Sequence, residues 1–189
     1  MSALTGIPKE TSKGSGGIME VWITELANLT GDTTIVDGVA SMHTAAGVWK
    51  LYVLGKEAGS NFVYTANGDV AAGTIEYDDV LTMIFKRNQV SKRNELKVLG
   101  QSELVCVIND NNAPQSLTGD CRVGQTYVIG LPVCTNVGGA ELRSGVGSTG
   151  TQLAESNNLT ITIGVKETIP PPAISEADYL LIRAGSAVG

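Results

Sequence analysis

The chain has 189 residues and a net charge of −6; 42% of the residues are hydrophobic and only 17% are charged. That balance suits one compact domain and excludes a general nucleic-acid binder, which needs clustered cations against phosphate. Three cysteines with no Cys-x-x-Cys spacing exclude a disulfide framework or zinc ribbon, and a single histidine, His43, excludes a histidine-built metal centre.

Residues 1–17, "MSALTGIPKETSKGSGG", are polar and glycine-rich and read as an extended arm. They show no basic-then-apolar leader, and no apolar run in the chain approaches the ~18 residues of a membrane helix. The expectation is a protein made in the cytoplasm with no membrane association. "IMEVWITEL" (18–26) is the first strand, followed by short runs in "GDTTIVDG" and "GVWKLYVLG" bounded by Gly and Asp. "SNFVYTAN" is another strand, which Asn67-Gly68 is expected to close as a turn.

From Thr74 a period-two alternation runs for about twelve residues, well beyond the usual ~5–6 of a strand. Ile75, Tyr77, Leu81, Met83 and Phe85 share one face, and Glu76, Asp78, Val80, Thr82 and Ile84 share the other. Asp79 interrupts the apolar face, which marks a bulge or an inward charge. Next, residues 88–100 read as a helix, with Asn88 or Ser91 as cap and Gly100 as stop. Leu96 and Leu99 form its apolar stripe, with Lys92, Arg93 and Lys97 outward. A strand at 103–109 follows and contains Cys106 as a buried apolar residue; "NDNNAP" is a turn.

"QTYVIGLPV" is a strand stopped by Pro132, and "NVGGAELRSGVGSTGTQ" reads as a glycine-rich loop. "NLTITIGVKET" alternates again, with Leu159, Ile161, Ile163 and Val165 on one face. "IPPPAI" ends it, and residues 175–189 read as a short apolar tail. The expected class is mainly β: an antiparallel β-sandwich or partly open barrel over 18–174, with one flanking helix.

No catalytic or cofactor-binding motif stands out. His43 sits in "ASMHTAAG" with no Gly-x-Ser-x-Gly elbow, and reads as a surface residue. "GVGSTG" lacks the lysine of a phosphate loop. Asp78 and Asp79 are adjacent on a strand, so they point to opposite faces and do not share a metal or a proton. "NDNN" lacks calcium-loop spacing. The cations at 86–97 have no aromatics between them and read as a solvated face or subunit contact, not a nucleic-acid site. A Cys121–Cys134 bridge is the less favoured reading of that pair. Neither a metal, a cofactor nor an enzymatic activity is expected.

The order "IPKE…GG…EVWI", "GTIEYDDVLTMIF", short helix, "ELVCVINDNN", glycine-rich region, "NLTITIGVKETIPPPAI" resembles the tail tube (major tail) proteins and related virion proteins of tailed bacteriophages, over roughly residues 7–174. One departure is "DNNAPQSLTGDC", where the family has Gly and aromatic residues after the turn; this implies a longer or differently paired hairpin. The resemblance implies a sandwich or barrel flanked by a helix, six copies to a ring, and rings stacked into a tube in the virion tail. The partners would be copies of the chain and other tail or neck proteins, with DNA passing through without specific binding. The stretches 74–87 and 158–168 would form the inner wall, with Glu76, Asp78 and Glu167 as candidate lumen-facing residues. Lys92, Arg93 and Lys97 would face outward or into subunit contacts. The arm at 1–17, the loop at 138–150 and the tail would bridge copies. Alternative classes are a neck-ring, tail-terminator or capsid-decoration protein, and a soluble ligand-binding β-sandwich.

Overall fold

A computed structural model describes residues 17–54, 59–69, 71, 73–86, 89–110, 125–132, 138–149 and 157–189. The protein is mainly β, with three antiparallel-rich sheets and two short helices; the described residues close no barrel. The strands are β1 (Ile18–Glu25), β2 (Thr34–Val36), β3 (Val39–Ser41), β4 (Lys50–Val53), β5 (Asn61–Asp69), β6 (Thr74–Lys86), β7 (Leu104–Asp110), β8 (Thr126–Ile129), β9 (Glu141–Ser148), β10 (Asn158–Glu167) and β11 (Ala173–Ile174). The helices are α1 (Val90–Leu99) and α2 (Glu176–Ala184).

One four-stranded sheet has the order β4-β1-β7-β8, a second has the order β5-β6-β10-β9, and a small third has β11-β3-β2. The first sheet is the middle layer. Val21, Ile23, Cys106 and Ile108 point from it toward Leu81, Met83, Leu159, Ile161 and Ile163 of the second sheet, forming one core. Its other face sends Trp22, Val105, Val107 and Val128 into a second core with Ala40, Met42, Trp49, Tyr179 and Ile182. Burial on both faces explains why "ELVCVI" is apolar without alternation, and all seven residues of β7 are buried.

The long alternation at β6 is realised over 13 residues, in continuous register with β10 from Lys86↔Asn158 to Tyr77↔Glu167. Three other expectations are corrected. First, β5 runs straight through Asn67-Gly68, which pair with Glu76 and Ile75, so the hairpin turns beyond Asp69. The Asp-Gly turn signal succeeds instead at Asp37-Gly38, both with positive φ (52° and 77°), between the paired strands β2 and β3.

Second, "ELRSGVGS" is a strand, β9, paired with β10, not a loop. Its glycine is a packing device: a Cβ on Gly145 would stand 2.7 Å from Leu96 Cδ2 of α1. Helix α1 closes the side of the layers between β4 and β9, with Leu96, Leu99 and Leu142 against the first core and Tyr52 Oη donating to Glu95 Oε1 at 2.5 Å. Gln89, not Asn88 or Ser91, occupies its N-cap, without a side-chain cap bond.

Third, the C-terminal stretch contains a second helix. Ser175 caps α2 by accepting the Asp178 N–H at 3.1 Å, and Gly185 ends it in the left-handed region at φ 69°. Ser186 N–H then donates to Leu181 O at 2.9 Å. Tyr179 and Ile182 on α2 are fully buried against the middle sheet. Tyr179 Oη donates to Glu20 and accepts from Asn109 Nδ2, so the helix supplies a partner to these two buried polar side chains of β1 and β7.

Candidate functional site

Among the described residues, no layer lies over the outer face of the second sheet. Side chains alternate along each strand, so Val63, Thr65 and Asn67 of β5 line up with Val80, Asp78 and Glu76 of β6. Thr160, Thr162 and Lys166 of β10 continue the same rows, and Ser144 and Val146 of β9 complete them. The surface is threonine-rich and partly exposed, with Val63 and Val146 as exposed large hydrophobics on it. Among the described residues, β5 and β9 each pair on one side only, so the sheet has two open edges.

Glu76 and Asp78 lie together on this face, as their parity predicts. Each meets a cation that the sequence reading did not single out: Lys166 Nζ to Glu76 Oε1 at 2.7 Å, and Arg143 Nη2 to Asp78 Oδ1 at 2.6 Å. The Arg143 hydrogen bond holds the Asp78 carboxyl below its ordinary range, and the Glu76 bond raises the Lys166 ammonium. This face therefore carries paired charges, not an acidic strip. Lys166 was legible, because it shares parity with Thr160 and Thr162. Arg143 was not: it is the residue skipped at a register shift in β9 and lies over Gly164, where a Cβ would be 2.2 Å from Arg143 Nε. The Lys166–Glu76 pair is exposed and the Arg143–Asp78 pair partly exposed, and such solvent-screened pairs contribute little. Asp78→Asn should shift the urea midpoint by less than the equivalent of about 1 kcal/mol.

Glu167 does not join them. It shares the parity of Val165 and is buried, accepting the Gly130 N–H at 2.8 Å, so it does not lie on the outer face with Glu76 and Asp78. Asp79 also points inward. It is fully buried, and neither carboxylate oxygen has a hydrogen-bond partner. Burial and the neighbouring Asp78 raise its pKa to about 6, and burial raises that of Glu167 to about 7.

Of the basic residues on α1, Arg93 and Lys97 are exposed. Lys92 is folded back, donating to Lys86 O at 2.6 Å with its ammonium 5.8 Å from the Phe85 ring centroid. His43 is exposed, its ring against Gly31. Cys106 is buried, and burial pushes its thiol far up. The Cys121–Cys134 pair and the arm at 1–16 lie outside the described residues. Among the described residues no group of three or more His, Cys, Asp or Glu is placed to hold a metal, and no helix is long and apolar enough to cross a membrane. In comparisons with protein-family models, curated proteins and solved structures, no match to this chain was found.

Proposed function

We propose that the chain is a virion structural protein of a tailed bacteriophage, and that copies of it join into rings that stack as a tail tube conducting DNA. The observation that carries this reading is the second sheet: four strands, with β5 and β9 as open edges and a hydrophilic outer face that no other element covers among the described residues. Long open edges invite association unless charge, proline or a covering element blocks them. Joining the β5 edge of one copy to the β9 edge of the next removes both edges at once and turns the outer face into a continuous wall. Six copies per ring follow from the resemblance in the order of sequence segments, as does the tail-tube-like sandwich form of the two large sheets. Partners on this reading are further copies of the chain and neighbouring tail or neck proteins.

The paired charges suit a conduit. A wall that neutralises its own cations releases no counterions to phosphate, so it does not retain DNA. Arg93 and Lys97 on α1 lie at the side of the layers, apart from that wall. Negative-stain micrographs and sedimentation of the purified full-length protein test the reading. Rings or tubes are the expected result. Discrete rings that never stack would point to a neck, terminator or decoration role, and a monomer at high concentration overturns the proposal.

A further inference from the structure

Asp79 and Glu167 have no part in the assembly surface, yet they form the least expected feature of the interior. They lie on the inward faces of adjacent strands. Asp79 pairs with Val165, and Glu167 is two residues further along β10, so the two carboxylates are diagonal neighbours, with Cβ atoms about 7 Å apart by sheet geometry. Both are buried. Glu167 reaches across the layers to the end of β8, where it accepts from the N–H groups of Gly130 and Leu131. This is where the first sheet hands over to the second: Gly130 sits against the bridge in which Leu104 and Ala140 exchange backbone hydrogen bonds just before β9. Asp79 has no such partner on either oxygen.

We propose that Asp79 and Glu167 form a proton-linked clasp on the Gly130–Leu131 turn: while the pair retains a proton the turn is held against β6 and β10, and when both carboxylates are ionised the turn is released. The physical reason is that one buried charge can be satisfied here and two cannot. The donors that the turn offers go to Glu167, so a second charge on Asp79 faces desolvation without compensation. The other titratable or charged groups around the pair are few. Tyr64 on β5 stands opposite Asp79, and Tyr77 on β6 stands opposite Glu167. Asp78 acts on Asp79 unfavourably, and Arg143 on β9 favourably. The turn contributes backbone N–H groups.

The pH window follows from the raised values, about 6 and about 7, which belong to the interacting pair and mark no order of ionisation between the two residues. A carboxyl whose folded pKa is raised favours the fold at pH below its unfolded value, and that advantage is lost as pH rises through the folded value. The clasp is therefore closed at pH 5.5 and open at pH 8. It does not depend on ring formation.

Amide hydrogen exchange of the full-length chain, read by NMR as protection factors at Gly130 and Leu131, tests it, with Val107 in the middle sheet as reference. The expected result is a fall of about tenfold or more at Gly130 and Leu131 between pH 5.5 and 8, with a smaller change at Val107. In Asp79→Asn the pH 8 protection should match that of the wild type at pH 5.5. Asp79→Leu, which also removes the charge, serves if the amide variant does not fold. Protection independent of pH in the wild type, a fall equal to that at Val107, or an undiminished fall in either variant overturns the clasp.

Discussion

Gly130→Ala is expected to destabilise the protein by about 3–5 kcal/mol, enough to lower the melting temperature by about 10 °C. Two costs combine. The residue has φ +80°, where an L side chain is strained by about 1–3 kcal/mol. The larger cost is steric: a Cβ there would stand 2.3 Å from Leu104 O and 2.6 Å from Ala140 N. These are backbone atoms already joined, with Ala140 N–H donating to Leu104 O at 2.7 Å, so neither can move without breaking the bridge that leads into β9. Gly38→Ala provides the control. Its φ is +77°, but no atom lies within 4 Å of the added methyl, so only backbone strain of about 1 kcal/mol is expected. Urea denaturation of the two variants isolates the clash. Equal losses would show that the Leu104–Ala140 bridge yields freely and that the junction between the sheets is not tightly packed.

The sequence shows most clearly those elements whose burial differs between faces. β6 and β10 are buried inward and partly exposed outward, and their alternation located both the strands and the outward pair Glu76 and Asp78. The same parity places Glu167 with Val165 on the inner face; its carboxylate charge suggested a wall, but position on the strand decides orientation. β9 was obscured because its glycines serve tertiary packing. Gly145 admits Leu96 from a helix some fifty residues earlier, a contact that no local pattern announces. Asn67-Gly68 is a strong local turn signal, yet the pairing of β5 with the outer part of β6 continues through it. The cations of the surface pairs divide in the same way. Lys166 follows from alternation, whereas Arg143 follows from a register shift that appears only once β9 and β10 are paired.

Ending the chain at Ile174 is expected to abolish cooperative folding. Residues 175–189 carry signals of a helix, with Ser175 and Asp178 spaced as a cap and Gly185 as a stop, but their short length and apolar character suggest a mere tail. In the fold they cover the second face of the middle sheet. Tyr179, Ile182 and Val188 are buried there with Trp22, Val105, Val107 and Val128. Losing those three side chains forfeits about 1.5–3 kcal/mol each. It also removes the Tyr179 hydroxyl from Glu20 and Asn109. The sum is comparable to the whole stability of a typical domain, about 5–15 kcal/mol. Tyr179→Phe separates the two contributions: it keeps the ring in the core and removes the hydroxyl, so it should cost about 2 kcal/mol and leave unfolding cooperative. Thermal unfolding followed by near- and far-ultraviolet circular dichroism checks both. If the chain ending at Ile174 melts cooperatively within a few degrees of the full chain, α2 is peripheral, and the middle sheet must be stable with its second face open to water.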